Sequence, residues 1–149
     1  MSFDLLLKGG VLPDGTSADI AISGDTIAAI EPDITADAGE VINISGNLVS
    51  PPFIDPHFHM DATLSYGLPR INESGTLLEG IALWGELKPL LTEEAVIERA
   101  LAYCDWAVSM GLLAVRSHVD TSDDHAMTGV RGLLAVRDIV NPYLDLQIV

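Results

Sequence analysis

Along residues 3–48 the hydrophobic positions come in short runs, each closed by Gly, Asp or Asn. Phe3 to Lys8 ends at Gly9-Gly10, and Asp14-Gly15 marks a turn. Ala18 to Ile22 partly alternates, Ser23-Gly24-Asp25 turns the chain into Thr26 to Ile30, and Val41 to Ile44 leads to Ser45-Gly46-Asn47. Runs of that length with that punctuation predict strands, and together a small β-sheet or half a sandwich. No motif with catalytic chemistry falls here, so the stretch reads as a structural β module.

The pattern changes at Leu48. Leu48 to Asp55 is mostly apolar but contains Pro51-Pro52. Proline inside a strand marks an edge or an entry, which puts the start of the strand proper near Phe53. Residues 62–75 are broken by Gly67, Pro69, Asn72 and Gly75 and read as a long loop. Loops of that length in a compact domain are often functional. Thr76 to Leu87 is predicted helical, with Ser74 a candidate cap. Thr92 to Met110 is the clearest helix: Thr92 suits the N-cap, Glu93 and Glu94 face the positive end of the dipole, and Gly111 suits the residue past the C-terminus. Its stripe of Val96, Ala100, Cys104, Ala107 and Val108 repeats at helical steps, so Cys104 reads as a buried thiol rather than a reactive one.

Leu112 to Val119 is an apolar run interrupted by Arg116 and His118, and reads as a strand. Asp123 or Asp124 is placed to cap a further helix to about Val140, striped by Val130, Leu133, Leu134 and Val136 and stopped by Asn141-Pro142. Leu144 to Val149 is a third strand. Strand, loop, helices, strand, helix, strand argues for parallel βα units. Parallel sheets bury both faces, so these strands need helices on both sides or closure into a barrel. A (β/α)8 barrel takes about 250 residues, whereas the chain has 149 and stops in apolar sequence. The expectation is an α/β protein that is the first part of a longer polypeptide, with residues 1–48 forming part of a small β-sandwich and residues 49–149 the first strands and helices of a barrel.

Composition narrows the partners. With 7 Lys and Arg against 22 Asp and Glu, the formal charge is −15, which argues against nucleic acid or an anionic membrane as a partner. Hydrophobic residues make up 48% of the chain, enough for a core and too many for disorder. The single cysteine excludes an internal disulfide framework and fits a reducing compartment. No apolar run approaches the ~20 residues that span a bilayer, and the first residues lack a secretory pattern. A cytoplasmic protein is expected, and a homo-oligomer is compatible with all of this.

The sharpest chemistry lies in Pro56-His57-Phe58-His59-Met60-Asp61. In a strand, His57 and His59 point the same way with Cα atoms ~6.6 Å apart, so their imidazoles can converge on one metal ion. They also close a strand and precede a long loop, where parallel α/β folds place active sites. Neutral imidazole suits zinc or iron. A buried structural histidine beside a surface one is the plainer reading of such a pair. His118 ends the second strand and either lines the pocket and supports the metal shell or is a hydrogen-bonded structural residue. His125 reads as solvent-exposed. Gln147 is a lone polar residue in an apolar strand, and a buried amide there needs partners, which a ligand or a neighbouring strand would supply. Trp84 and Trp106 read as core or interface aromatics. No nucleophile motif, phosphate loop or CxxC pair is present.

Asp4 to Gly10, Ala18 to Ile22 and above all Asn47 to Asp61 resemble the entry into the first barrel strand of the amidohydrolase superfamily. Glu73 to Ile81, Leu90-Leu91-Thr92, Val115 to Asp120 and Leu144 to Val149 resemble its cytosine deaminase-like branch. The resemblance implies a metal-dependent hydrolase (β/α)8 TIM barrel, one divalent ion (zinc or iron), and hydrolytic deamination of cytosine or a related N-heterocycle by metal-activated water attacking the amine-bearing ring carbon. It implies His57 and His59 as metal ligands, Gln147 as a hydrogen-bond partner of the ring, and the main-chain carbonyl of Leu77 as a substrate contact. The catalytic acid/base and the other metal ligands have no counterpart in these residues, so the rest of the polypeptide is an implied partner and the isolated piece an inactive one. The same entry is shared by ring hydrolases and by triazine N-dealkylating amidohydrolases.

Overall fold

A computed structural model describes residues 2–121 and 126–149. The predicted capping by Asp123 or Asp124 and the exposure of His125 lie outside the described residues. The chain divides into two compact units, Met1–Pro51 and Pro52–Val149.

The first unit is a single four-stranded sheet of β1 (Phe3–Val11), β2 (Ser17–Ser23), β3 (Thr26–Glu31) and β4 (Ala38–Asn43), in the order β3-β2-β1-β4. The hairpins β1–β2 and β2–β3 are antiparallel, while β4 returns parallel to β1. Leu48 stays with this unit, bridging to Val11. Leu6, Ala21 and Ile34 form its small core. Asp19 is buried beside them and accepts the backbone N–H groups of Gly9 and Ile34, both at 2.9 Å.

The second unit holds β5 (Phe53–Phe58), α1 (Leu77–Leu87), α2 (Glu93–Ser109), β6 (Leu112–Ser117), α3 (Ala126–Val140) and β7 (Asp145–Ile148). Its three strands pair parallel in the order β5-β6-β7. One face carries the core: Val96, Ala100 and Cys104 from α2 and Leu133, Val136 and Val140 from α3 pack with Val115 and Leu146 of the sheet. The opposite face is open, with Ile54, Arg116 and Gln147 all exposed. Alternation along β6 and β7 thus divides each strand between helix-facing and open-facing side chains.

Local chemistry sets the boundaries. Thr76 rather than Ser74 caps α1, its hydroxyl accepting the N–H of Glu79 at 3.3 Å. The Ser74 hydroxyl instead donates to the Glu79 carboxylate, because Gly75 turns the chain between them with φ at +67°. Thr92 caps α2 as its sequence predicts, accepting from Ala95 N–H at 3.2 Å. Gly111 follows α2 with φ at +82°, a conformation that glycine adopts without strain. Of the stripe on α3, Leu134 is exposed while Leu133 and Val136 are buried. Trp106 is no core residue: it is 63% exposed on α2.

Candidate functional site

The site is built where β5 and β6 end. Pro56 has no N–H to give to the ladder, and the β5–β6 register shifts between Asp55 and Phe58. His57 N–H is diverted to Asp55 Oδ1 at 3.1 Å. The strand stops at Phe58, and His59 becomes the cap of a single 3-10 turn, Met60–Ala62. Two bonds tie that corner to β6: His118 N–H donates to Phe58 O at 2.7 Å, and Met60 N–H to the buried Ser117 Oγ at 3.0 Å. Strict two-residue alternation therefore does not hold from His57 to His59, yet the corner still gathers their rings.

The centroids of His57 and His59 are 5.4 Å apart with the planes at 60°. A zinc ion bound at ~2.1 Å through a ring nitrogen lies ~3.2 Å from that ring's centroid, so two imidazoles at a tetrahedral angle stand ~5.2 Å apart. The observed separation is close to that figure and equally close to that of an ordinary edge-to-face ring pair. His118 does not extend the set. Its ring stacks on His57 at 4.1 Å with only 22° between planes, so the two rings lie face on rather than converging. It stands 6.1 Å from His59. Among the described residues, no group of three or more His, Cys, Asp or Glu side chains could hold a metal ion.

Around the imidazoles lie groups to which the sequence reading assigned no role. Asp61 is buried; its Oδ2 accepts Asp120 N–H at 3.1 Å and its Oδ1 has no partner. Burial pushes its carboxyl above the usual range, against the pull of the Asp120 N–H and the His59 charge. Arg99 of α2 braces the same turn, donating to Thr63 O at 3.0 Å and Asp61 O at 3.3 Å. Trp84 Nε1 and Lys88 Nζ both donate to Asp120 Oδ2, at 2.8 and 3.1 Å. A cavity of about 240 Å³ is lined by His59, Asp61, Ala62, Trp84 and Asp120. The sequence signal was the paired Asp residues at the two strand ends, whose neighbours cannot be read from spacing.

The structure brings His57, His59 and His118 together, and not the other two candidates. Leu77 opens α1 with an exposed side chain, and the helix reaches the cavity through Trp84 instead. Gln147 is exposed on the open sheet face rather than buried, and its Oε1 accepts from Arg116 Nε. Gln147 and Arg116 line a second cavity of about 250 Å³, which Ile54 and Pro56 also border. A polar pair on that face needs no burial because no layer of the described residues covers it.

A parallel α/β unit with histidines at the carboxyl end of its first strand is the arrangement of a family of hydrolases, and the chain belongs to the Amidohydrolase family, whose pattern matches residues 40–136. A crystal structure of 5-methylcytosine deaminase from Klebsiella pneumoniae, liganded with phosphonocytosine, shares 35% identity and a TM-score of 0.83, over 96% of this chain and 35% of that one. The N-isopropylammelide isopropyl amidohydrolase of Pseudomonas sp. (strain ADP) is 30% identical over 99% of this chain and 38% of that protein. The N-isopropylammelide isopropylaminohydrolase structure from Burkholderia multivorans, 22% identical with a TM-score of 0.75, shares the fold over 98% of this chain and 37% of that one. The chain thus spans a little over a third of the length of these relatives.

Proposed function

We propose that these residues supply part of the metal site and of the substrate pocket of a hydrolase that deaminates cytosine or a related N-heterocycle. The observation that carries this reading is the pair of imidazoles brought side by side at the end of β5. The likeness to a 5-methylcytosine deaminase favours the ring-amine substrate. His57 and His59 are the residues that would hold a divalent ion, zinc or iron, and that ion supplies a water acidified toward neutrality. His118, stacked on His57, limits how far that ring can turn. Gln147 has its carbonyl oxygen taken by Arg116, which leaves the amide N–H groups to donate to a ring acceptor. The main-chain carbonyl of Leu77, in the first turn of α1, is the other substrate contact on this reading. The acid/base group and the remaining ligands come, on this reading, from polypeptide beyond these residues.

The test is ammonia release from cytosine, isocytosine and creatinine by the full-length protein, with and without a chelator. Chelation abolishes turnover, and His57→Ala or His59→Ala lowers bound metal and kcat/KM by more than the roughly 10–100-fold typical of outer partners. Chelator-resistant turnover, or none on any ring amine, contradicts the reading. The similarity to an isopropyl amidohydrolase over nearly the whole chain supports a second reading, N-dealkylation of a triazine. Release of an alkylamine instead of ammonia selects it. A purified protein whose intact mass is that of these residues alone, 15.9 kDa, and which is inert toward every ring amine would favour an inactive fragment.

A further inference from the structure

We propose that Asp120 is a positioning residue that sets the wall of the cavity beside His59, by holding the indole of Trp84 and the ammonium of Lys88 at one carboxylate oxygen. For its catalytic consequence this rests on the deaminase reading; the geometry stands without it. Asp120 lies two residues past His118, just beyond β6, while Trp84 and Lys88 lie in and just after α1. The contacts therefore join segments 36 and 32 residues apart. The Asp120 backbone N–H adds a third tie, to Asp61 Oδ2 at 3.1 Å, across 59 residues. One residue thus links the end of β6, the turn after His59, and helix α1.

Chemistry explains why an acid stands there. The Lys88 side chain is only 10% exposed, and an ammonium so secluded needs an anionic partner nearby. The indole N–H is donor-only, so a carboxylate acceptor holds the ring in one orientation. Trp84, Asp120, Asp61 and His59 line the same cavity, so the tilt of that indole sets the space a flat ring finds beside the candidate metal ligand. Without the carboxylate, the indole of Trp84 loses the acceptor that holds it.

The full-length enzyme tests this. Asp120→Ala is expected to raise KM for the ring substrate about 10-fold, the loss of one hydrogen bond to a charged group, with a smaller change in kcat and unchanged bound metal. Asp120→Asn keeps an acceptor for the indole and recovers most of the affinity. Trp84→Phe combined with Asp120→Ala is no worse than Asp120→Ala alone. Independently of substrate, the Trp84 indole N–H should exchange slowly with solvent and resonate downfield; Asp120→Ala should abolish both, leaving the Trp106 signal in place. If Asp120→Ala does not fold, Asp120→Asn carries the test, because a neutral acceptor moves the indole resonance upfield. A normal KM in an Asp120→Ala variant that keeps its metal overturns the positioning role and leaves the deaminase reading intact. A wild-type enzyme inert toward every ring amine overturns the deaminase reading, and an unmoved indole resonance then overturns the geometry too.

Discussion

Glu79 illustrates how single groups organise the start of α1. Its carboxylate accepts the hydroxyl of Ser74, a side-chain N–H of Arg70 at 2.8 Å and the backbone N–H of Ser74 at 2.7 Å. Those donors, Ser74 first, lower its pKa from 4.5 to about 2. Because the folded value is depressed, the carboxylate contributes stability above about 4.5, and that contribution is lost as the pH falls from there toward 2. Carboxyl-resonance titration should place the Glu79 midpoint near 2, and Ser74→Ala should raise it. A midpoint near the ordinary value in the unaltered protein would refute the network. Cys104 shows the opposite environment: burial pushes its thiol up to about 11, as suits a small core residue on the α2 stripe.

Between elements, α2 and α3 pack tightly at Gly132. A Cβ placed on Gly132 would meet Val96 Cγ1 at 2.9 Å and Val96 Cβ at 3.0 Å, with Glu93 O at 3.3 Å. Val96 is fully buried, so it has no room to give. Gly132→Ala gains helix propensity but forces the two helices apart, and overpacking of this kind costs ~1–3 kcal/mol. Thermal unfolding should show a lower midpoint; an unchanged or higher one would mean that the helix pair yields more easily than this contact implies. The helices matter to the site because they seat β6 and β7 from one side and leave the other face open.

For the second unit as a whole, the open sheet face is the dominant feature. Its parallel strands are covered by helices on one side only, and β5 and β7 each leave an edge unpaired among the described residues. Ile54 is 69% exposed on that sheet, a poor situation for an apolar side chain in water. The 149-residue chain expressed alone should therefore bind a hydrophobic dye and self-associate, whereas a longer polypeptide that covers the face should do neither. A monomeric 149-residue chain that leaves the dye unbound would show that this face tolerates water.

Much of this was legible before any coordinates. Capping at Thr92, the glycine after α2, the start of β5 near Phe53 and the stripe bearing Cys104 follow from interactions between residues a few positions apart, which spacing records directly. His57 and His59 are also near in sequence, but their rings meet at a corner tied to β6 rather than through the strand alternation that spacing suggests. What needed the tertiary structure is every relation across long separations: Ser117 receiving Met60 N–H, Asp120 gathering Trp84 and Lys88, and Arg116 donating to Gln147. These contacts depend on which strand lies beside which and on the bend at Pro56, and chain spacing does not encode where two distant segments meet.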